Sequence, residues 1–493
     1  MTADSPNAAT FGFVRSLSRH QKAAVVILVM AFAATAITPT LTVTILGVLV
    51  ALPLLFCVTM EVADGNANPV VLFWLLFFPL GYYFLSFPRK GTIFTLDRAA
   101  VALMMVAIFL RPQQGKTLVP SSLGRAGWAW AGFLAAATLS LAQVTELRAP
   151  LRILVEAFFM PALLAYYVVT RFPVTRYLRL LHGLLCVVGI YLAAIGLMEV
   201  VRGEDLLPLE GAAEYLAGQQ RGLSLLRVNG PFSTNNSYGL VGLIAFCLLW
   251  FLYRARGGDW PLWQRLLHGF GMLACLITAL LPLFRSIVIT IFVILLLALA
   301  WTKSITARIA GGLALFLLAG SFFYIVTKFP DLYEERVSSP TNFYGRLAQQ
   351  VQNFNIFLEH PILGVGLNGF YQAATRAFSG TSYEGVGSVD FPHSNVGAVL
   401  AETGLLGFVP YLASQILLVI AFWKLRAGRS PRWTVAWRFF LMVFLSYWIS
   451  GLTLTSGYYS DLNLWYLFAV STIYKFALED KAESSGNRLL LHG

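Results

Sequence analysis

Apolar runs long enough to cross a bilayer recur from one end of this chain to the other, and that recurrence limits what it can fold into. The hydrocarbon core of a bilayer takes roughly 20 apolar residues per helix. Only helices or closed barrels satisfy their own backbone there. Such runs lie near 23–38, 41–60, 70–87, 97–111, 127–143, 151–170, 180–200, 237–253, 266–284, 286–302, 309–327, 394–423, 437–455 and 461–476. The pattern is not the short alternation of a barrel strand. The chain is 58% hydrophobic and only 12% charged, where a soluble domain is about a quarter charged. The expected fold is an all-α polytopic membrane protein of about 12–14 transmembrane helices.

The formal charge of +12 raises the question of nucleic acid, and the placement of the charge answers it. With the N-terminus in the cytoplasm, lysine and arginine gather in the short inner segments. Examples are Arg171, Arg176 and Arg179, Arg254, Arg256 and Arg265, and the run Lys424 to Arg438. That is the positive-inside bias of a membrane protein, and no nucleic-acid partner is expected. One outer loop dissents, with Arg89, Lys90 and Arg98. Arg15, Arg19, His20 and Lys22 before the first apolar run resemble a signal peptide, but a second run follows at once, so an uncleaved first helix is expected. Cys57, Cys186, Cys247 and Cys275 lie inside expected helices without metal spacing and read as packing residues. No solenoid repeat is visible.

The resulting organisation is a tail at 1–22, helices over 23–201, an outward loop at 202–236, helices over 237–328, a large outward loop at 329–392, helices over 393–477 and a tail at 478–493. A connection as long as 329–392 is uncommon unless it is functional. Leu347, Val351, Phe354, Phe357 and Leu358 fall at helical spacing within it, which predicts an amphipathic helix along the membrane surface.

The outward face offers a set of arginines. Arg285 stands between two apolar runs, where it either snorkels to headgroups or binds an anion. Arg346 opens the amphipathic stretch. Arg221 and Arg227 lie in the loop 202–236, followed by the N-cap types Asn235, Asn236 and Ser237. A guanidinium is permanently charged and its fork matches two phosphate oxygens, so Arg227, Arg285 and Arg346 together suit a diphosphate. His393 stands at the rim of the span beginning near Ser394; an imidazole with an ordinary pKa near 6.5 is a natural base at neutral pH, though a histidine at a helix start is more often structural. Asn395 and Glu402 follow. A carboxyl in an apolar run needs a partner, and an arginine is the expected one. Gly364 and Gly366 read as a helix stop and turn. No metal ligation is expected.

In order, these residues are Phe284-Arg285-Ser286, Tyr344-Gly345-Arg346, Pro361-Ile362-Leu363-Gly364-Val365-Gly366-Leu367-Asn368-Gly369-Phe370, His393-Ser394-Asn395 and Glu402-Thr403-Gly404-Leu405-Leu406-Gly407. The series resembles the O-antigen ligase and O-antigen polymerase superfamily of bacterial envelope glycosyltransferases, over roughly 220–455. The chain departs from it in having Phe284 where a serine often precedes the arginine. The resemblance implies a multi-pass inner-membrane enzyme with its active site facing the periplasm, a donor glycan on undecaprenyl diphosphate, and inverting transfer without a metal or cofactor. Carried over, Arg285, Arg346 and His393 are catalytic, and Arg227, Arg221, Asn395 and Glu402 bind substrate. Membrane lipid, a chain-length regulator and a flippase of the same pathway are the implied partners.

Two readings share that donor site. A polymerase moves the growing chain onto the next lipid-linked repeat unit of a capsule, exopolysaccharide or O-antigen. A ligase passes finished glycan to lipid A core or to protein. The length without an added C-terminal soluble domain leans toward the polymerase. A polysaccharide transporter is the rival from another class. It predicts charges deep within spans, and Glu156, Glu199 and Glu402 are the acids to watch.

Overall fold

The structure is a computed structural model. It describes residues 61–62, 65–84, 95–110, 121–202, 228–232, 234–257, 260–282, 284–328, 340–377, 392–426, 430–452, 454 and 456–484. The expected spans 23–38 and 41–60, both tails beyond these limits, Cys57, Arg89, Lys90, Arg221 and Arg227 lie outside the described residues.

Every expected span from 70–87 onward is a helix. We label the helices α1 (Asn68–Phe84), α2 (Leu96–Leu110), α3 (Ser121–Ser140), α4 (Arg148–Arg171), α5 (Val174–Arg202), α6 (Asn235–Arg256) and α7 (Leu262–Leu280). They continue with α8 (Arg285–Trp301), α9 (Ile305–Lys328), α10 (Pro340–Glu359), α11 (Phe370–Ala377), α12 (Asn395–Lys424), α13 (Pro431–Gly451) and α14 (Ser460–Ser484). No strand occurs among the described residues. Five helices, α4, α5, α6, α12 and α13, are long and apolar enough to cross a membrane, and the apolar α8 is shorter. The chain is an all-α polytopic membrane protein.

The chain divides into two units, 1–74 with 99–114, and 75–98 with 115–493. Described residues of the first are 61–62, 65–67 and parts of α1 and α2. The second holds the remainder of those two helices and α3 to α14. In it α12 packs along α3, α6 along α7 and α13, and α14 along α4 and α13. Small residues let these backbones approach. A Cβ on Gly189 of α5 would meet Cys275 Sγ at 2.6 Å, and one on Gly271 of α7 would meet Cys186 Sγ at 2.9 Å. Cys186, Cys247 and Cys275 are free and buried, as packing residues.

The two ends of the second unit differ in chemistry. At one end Thr175 N–H donates to Glu479 at 2.8 Å, Arg432 pairs with Asp480 and Glu483, and Arg256 and Arg426 stack on Trp260 and Trp423. These are the expected inner loops, and they do assemble together. The opposite end carries the candidate site.

α4 shows how sequence builds that end. Pro161 has no N–H, so the Ala157 carbonyl has no helical donor. The helix widens into a π turn over Leu154–Phe159, and Asn463 Nδ2 donates to Ala157 O at 2.7 Å. The same amide donates to Gly457 O at 2.6 Å, and Asn463 Oδ1 accepts from Tyr447 Oη at 2.6 Å. One buried asparagine thus ties α4, α13 and α14 together.

Candidate functional site

Among the helices that begin at this end are α6, α8, α12 and α14. Thr234 caps α6, its Oγ1 accepting from Ser237 N at 3.1 Å, and Ser394 caps α12, its Oγ accepting from Gly397 N at 3.2 Å. α14 begins at Ser460, where Asp461 Oδ1 accepts from Leu462 N at 2.8 Å. α8 begins at Arg285 after the extended Phe284, which supplies no side-chain cap. Contacts show that the four starts share one end. Ser237 Oγ donates to Asp461 Oδ1 at 3.3 Å. Gly457 N–H, just before α14, donates to Asn395 Oδ1 at 2.6 Å. Gly239 of α6 abuts Ile287 of α8, 2.5 Å from where its Cβ would stand. Helix N-termini carry partial positive charge and free N–H groups, so this end of the protein favours an anion.

Arg285 is exposed at the first position of α8. Beside it the Ser286 hydroxyl is buried with no hydrogen-bond partner, and so are both amide atoms of Asn236 at the start of α6. Arg346 lies within α10, the helix expected along the surface. Leu347, Val351, Phe354 and Leu358 are exposed on one side, and Ala348, Gln352, Asn353 and Ile356 are buried on the other, against α12.

That buried face positions His393. Asn353 Nδ2 donates to Pro392 O at 2.9 Å, and Ser394 caps α12 immediately after. Between these two anchors His393 takes φ +45°, the left-handed region, which is uncommon for residues other than glycine. Backbone strain of this kind survives only where the surroundings over-determine it, and it clusters at active sites.

The two glycine motifs close on each other. Val365 and Gly366 N–H donate to Ala401 O and Glu402 O at 3.1 and 3.0 Å, and Leu405 and Leu406 N–H donate back to Pro361 O and Ile362 O at 2.9 and 3.1 Å. α12 opens at Gly404, φ +58°, to allow this, so the apolar run 394–423 is a broken helix rather than a straight one. Gly364 and Gly366 also have positive φ, and a Cβ on Gly364 would overlap the Glu402 backbone. The expected stop and turn is present, and its glycines serve close backbone approach.

Among the described residues Glu402 has no arginine partner of the kind the sequence suggested. Its carboxylate, 1% exposed, accepts from Asn368 N at 2.7 Å, Phe370 N at 3.3 Å and Tyr458 Oη. Backbone N–H groups from the adjacent turn are nearer than any long side chain, and they satisfy a buried carboxylate without importing a second charge. Through these bonds it holds Asn368 at φ +61°. Asn395 is buried, with its carbonyl on Gly457; it joins the start of α12 to the turn before α14.

The other two acids expected inside spans are also tied. Glu199, fully buried, accepts from Gly230 N at 2.9 Å. Glu156, in the π turn, pairs with Arg98 and, at 3.0 Å, with Arg152. Arg98, which dissented from the charge rule, therefore has its place beside an acid at this end. Among the described residues no group of three or more His, Cys, Asp or Glu is arranged to hold a metal ion.

Sequence reasoning missed Asn368, Tyr458 and Asp461. Asn368-Gly369 is a turn signal, and Tyr458-Tyr459-Ser460-Asp461 is a short polar connection between spans. Neither announces its partners, which lie 34, 56 and 224 positions away for Asn368, Tyr458 and Asp461.

The architecture is that of a polytopic helical membrane protein whose polar, strained and helix-starting residues converge at one end. A family model described as O-Antigen ligase matches residues 270–412, which include Arg285, Arg346, the 361–370 turn, His393 and Glu402. The matched segment is under a third of the chain, and over it the chain is similar to the O-antigen ligase family, as the motifs in its sequence led us to expect. No curated protein sequence matches it.

Proposed function

We propose that this protein transfers a glycan from undecaprenyl diphosphate to a lipid-linked repeat unit at the periplasmic face of the inner membrane, as a polysaccharide polymerase. The observation that carries the reading is the convergence of four helix starts with Arg285 and the strained His393 at one end; Arg285, His393 and the starts of α8 and α12 fall inside the segment shared with the family. In this reading Arg285 and Arg346 hold the diphosphate, with Arg221 and Arg227 contributing from the preceding loop. The acceptor hydroxyl attacks the anomeric carbon from the face opposite the diphosphate. The bond from that carbon to the diphosphate oxygen breaks, the lipid diphosphate leaves with the electron pair, and the configuration inverts. Negative charge grows on the leaving group, and fixed guanidinium groups and helix N-termini stabilise it without a metal. His393 takes the hydroxyl proton.

The second reading is a ligase that passes finished glycan to lipid A core or protein; the family match supports both readings alike. Arg285→Ala and His393→Ala in the native host separate the two. For a polymerase, long polysaccharide disappears while single lipid-linked repeats persist. For a ligase, long lipid-linked chains accumulate unattached. Normal glycan in both variants would refute the site assignment. A transporter would leave both polymer length and attachment intact and strand glycan on one side of the membrane.

A further inference from the structure

A cavity of about 400 Å³ opens among the helix ends of the second unit. That falls in the ≈ 300–1,000 Å³ range of small-molecule sites. The described residues lining it include neither Arg285 nor His393. Its polar lining is Asp97, Arg152, Glu156, Asn368 and Asp461, and its aromatic lining includes Phe232, Tyr458 and Tyr459.

The lining is built, not incidental. Glu156 stands in the π turn that Asn463 fixes, and Arg98 and Arg152 hold its carboxylate. Asp461 is set by the Leu462 N–H and the Ser237 hydroxyl. Asn368 is presented by the left-handed backbone that Glu402 pins.

The charge of this lining is wrong for a diphosphate. Among the described residues Arg98 and Arg152 already hold Glu156, which leaves Asp97 and Asp461 as further carboxylates in the lining, and carboxylates repel a phosphate in a site of reduced dielectric. Carboxylates are acceptor-only groups, suited to hydroxyl donors, and flat rings supply apolar walls. A ligand with many hydroxyls, no charge and one apolar C–H face meets both requirements. We propose that the cavity is a glycan subsite: it takes one uncharged sugar ring of the substrate, hydroxyls on Asp461, Asp97 and Glu156, apolar face on Tyr459. The proposal rests on the transfer reading for the origin of that sugar. It separates the recognition of the glycan from that of the diphosphate, which stays with the arginines.

The test uses the full-length protein in lipid nanodiscs and, as probe, free repeat-unit oligosaccharides released by mild acid from the host's own polysaccharide. Saturation-transfer NMR reads binding. The wild type gives transfer to sugar C–H protons. Asp461→Asn and Tyr459→Ala each weaken it by about fivefold, the scale of one lost hydrogen bond or contact. Tyr459→Phe, which keeps the ring, retains most of the signal, and so does Arg285→Ala. Thermal melting confirms that each variant is folded. No transfer with the wild type, or equal transfer in wild type, Asp461→Asn and Tyr459→Ala, overturns the proposal. Borohydride reduction opens the reducing-end ring of the probe. Loss of binding then assigns the cavity to the donor sugar, and retained binding assigns it to the acceptor. Free oligosaccharide carries no diphosphate, so a failure here leaves the transfer reading standing. Binding that persists while Arg285→Ala and His393→Ala hosts make normal glycan would refute the catalytic-site assignment and keep the subsite.

Discussion

His393 combines two properties that substitution can separate. Its backbone is left-handed at φ +45°, a conformation that costs a side chain roughly 1–2 kcal/mol and glycine little. His393→Gly and His393→Ala both remove the imidazole, and both should abolish transfer. Allowing for the greater freedom of glycine in the unfolded chain, His393→Gly should be the more stable by about 1 kcal/mol. Thermal melting in detergent measures the difference; an alanine variant as stable as the glycine variant would mean the strain is not there. Asn353 acts on the same residue through the Pro392 carbonyl. Asn353→Ala should leave the fold intact and slow transfer by up to about 100-fold, the cost of a misplaced reacting group. The rate of polymer formation in reconstituted vesicles reads it, and an unchanged rate would remove Asn353 from the positioning of His393.

The next scale is the pair of segments 361–366 and 401–406. Their four backbone hydrogen bonds require glycine at 364 and 404. Gly364→Ala or Gly404→Ala adds a methyl against backbone and a strained φ, and should destabilise the protein by about 2–4 kcal/mol. A melting temperature within error of the wild type would show that the turn does not depend on them. Asn463→Leu leaves the Ala157 and Gly457 carbonyls and the Tyr447 hydroxyl without their partner, at about 1–3 kcal/mol for each buried group that water does not reach. The same pair shows what could be read in the sequence. The helices were legible because each span must be long and apolar on its own account. The amphipathic α10 was legible because its exposed stripe repeats every three to four residues. The break in α12 was not, because glycine is frequent in transmembrane helices and only the docked 361–364 turn makes Gly404 necessary. The partner of Glu402 was hidden for a similar reason: Tyr458 and the Asn368 amide belong to segments that topology, not periodicity, brings to it. Arg285 was visible as a residue type, but its place beside other helix starts is a property of the bundle.

For the molecule as a whole, the ordering of its ends can be tested directly. Leu452 follows α13 at the end that carries the site, and Ile305 opens α9 at the other; both are exposed, at 57% and 72%. Leu452→Cys should react with a membrane-impermeant maleimide in cells whose outer membrane is permeabilised, and Ile305→Cys only after lysis. The reverse pattern would turn the protein over and place the chemistry on the cytoplasmic face. The described native cysteines are buried and should contribute little background.

The interlocked turns also fix an order of manufacture. Residues 361–366 leave the ribosome before 401–406, and Tyr458, Asp461 and Asn463 come later still. The first partner must wait outside until α12 has been threaded into the bilayer, and the α13–α14 connection must cross before Glu402 and the π turn of α4 are locked. The contacts on Glu402 and on the π turn are therefore completed only once α14 is in place. On the transfer reading, a chain truncated before α14 would carry Arg285, Arg346 and His393 without those contacts and should be inactive.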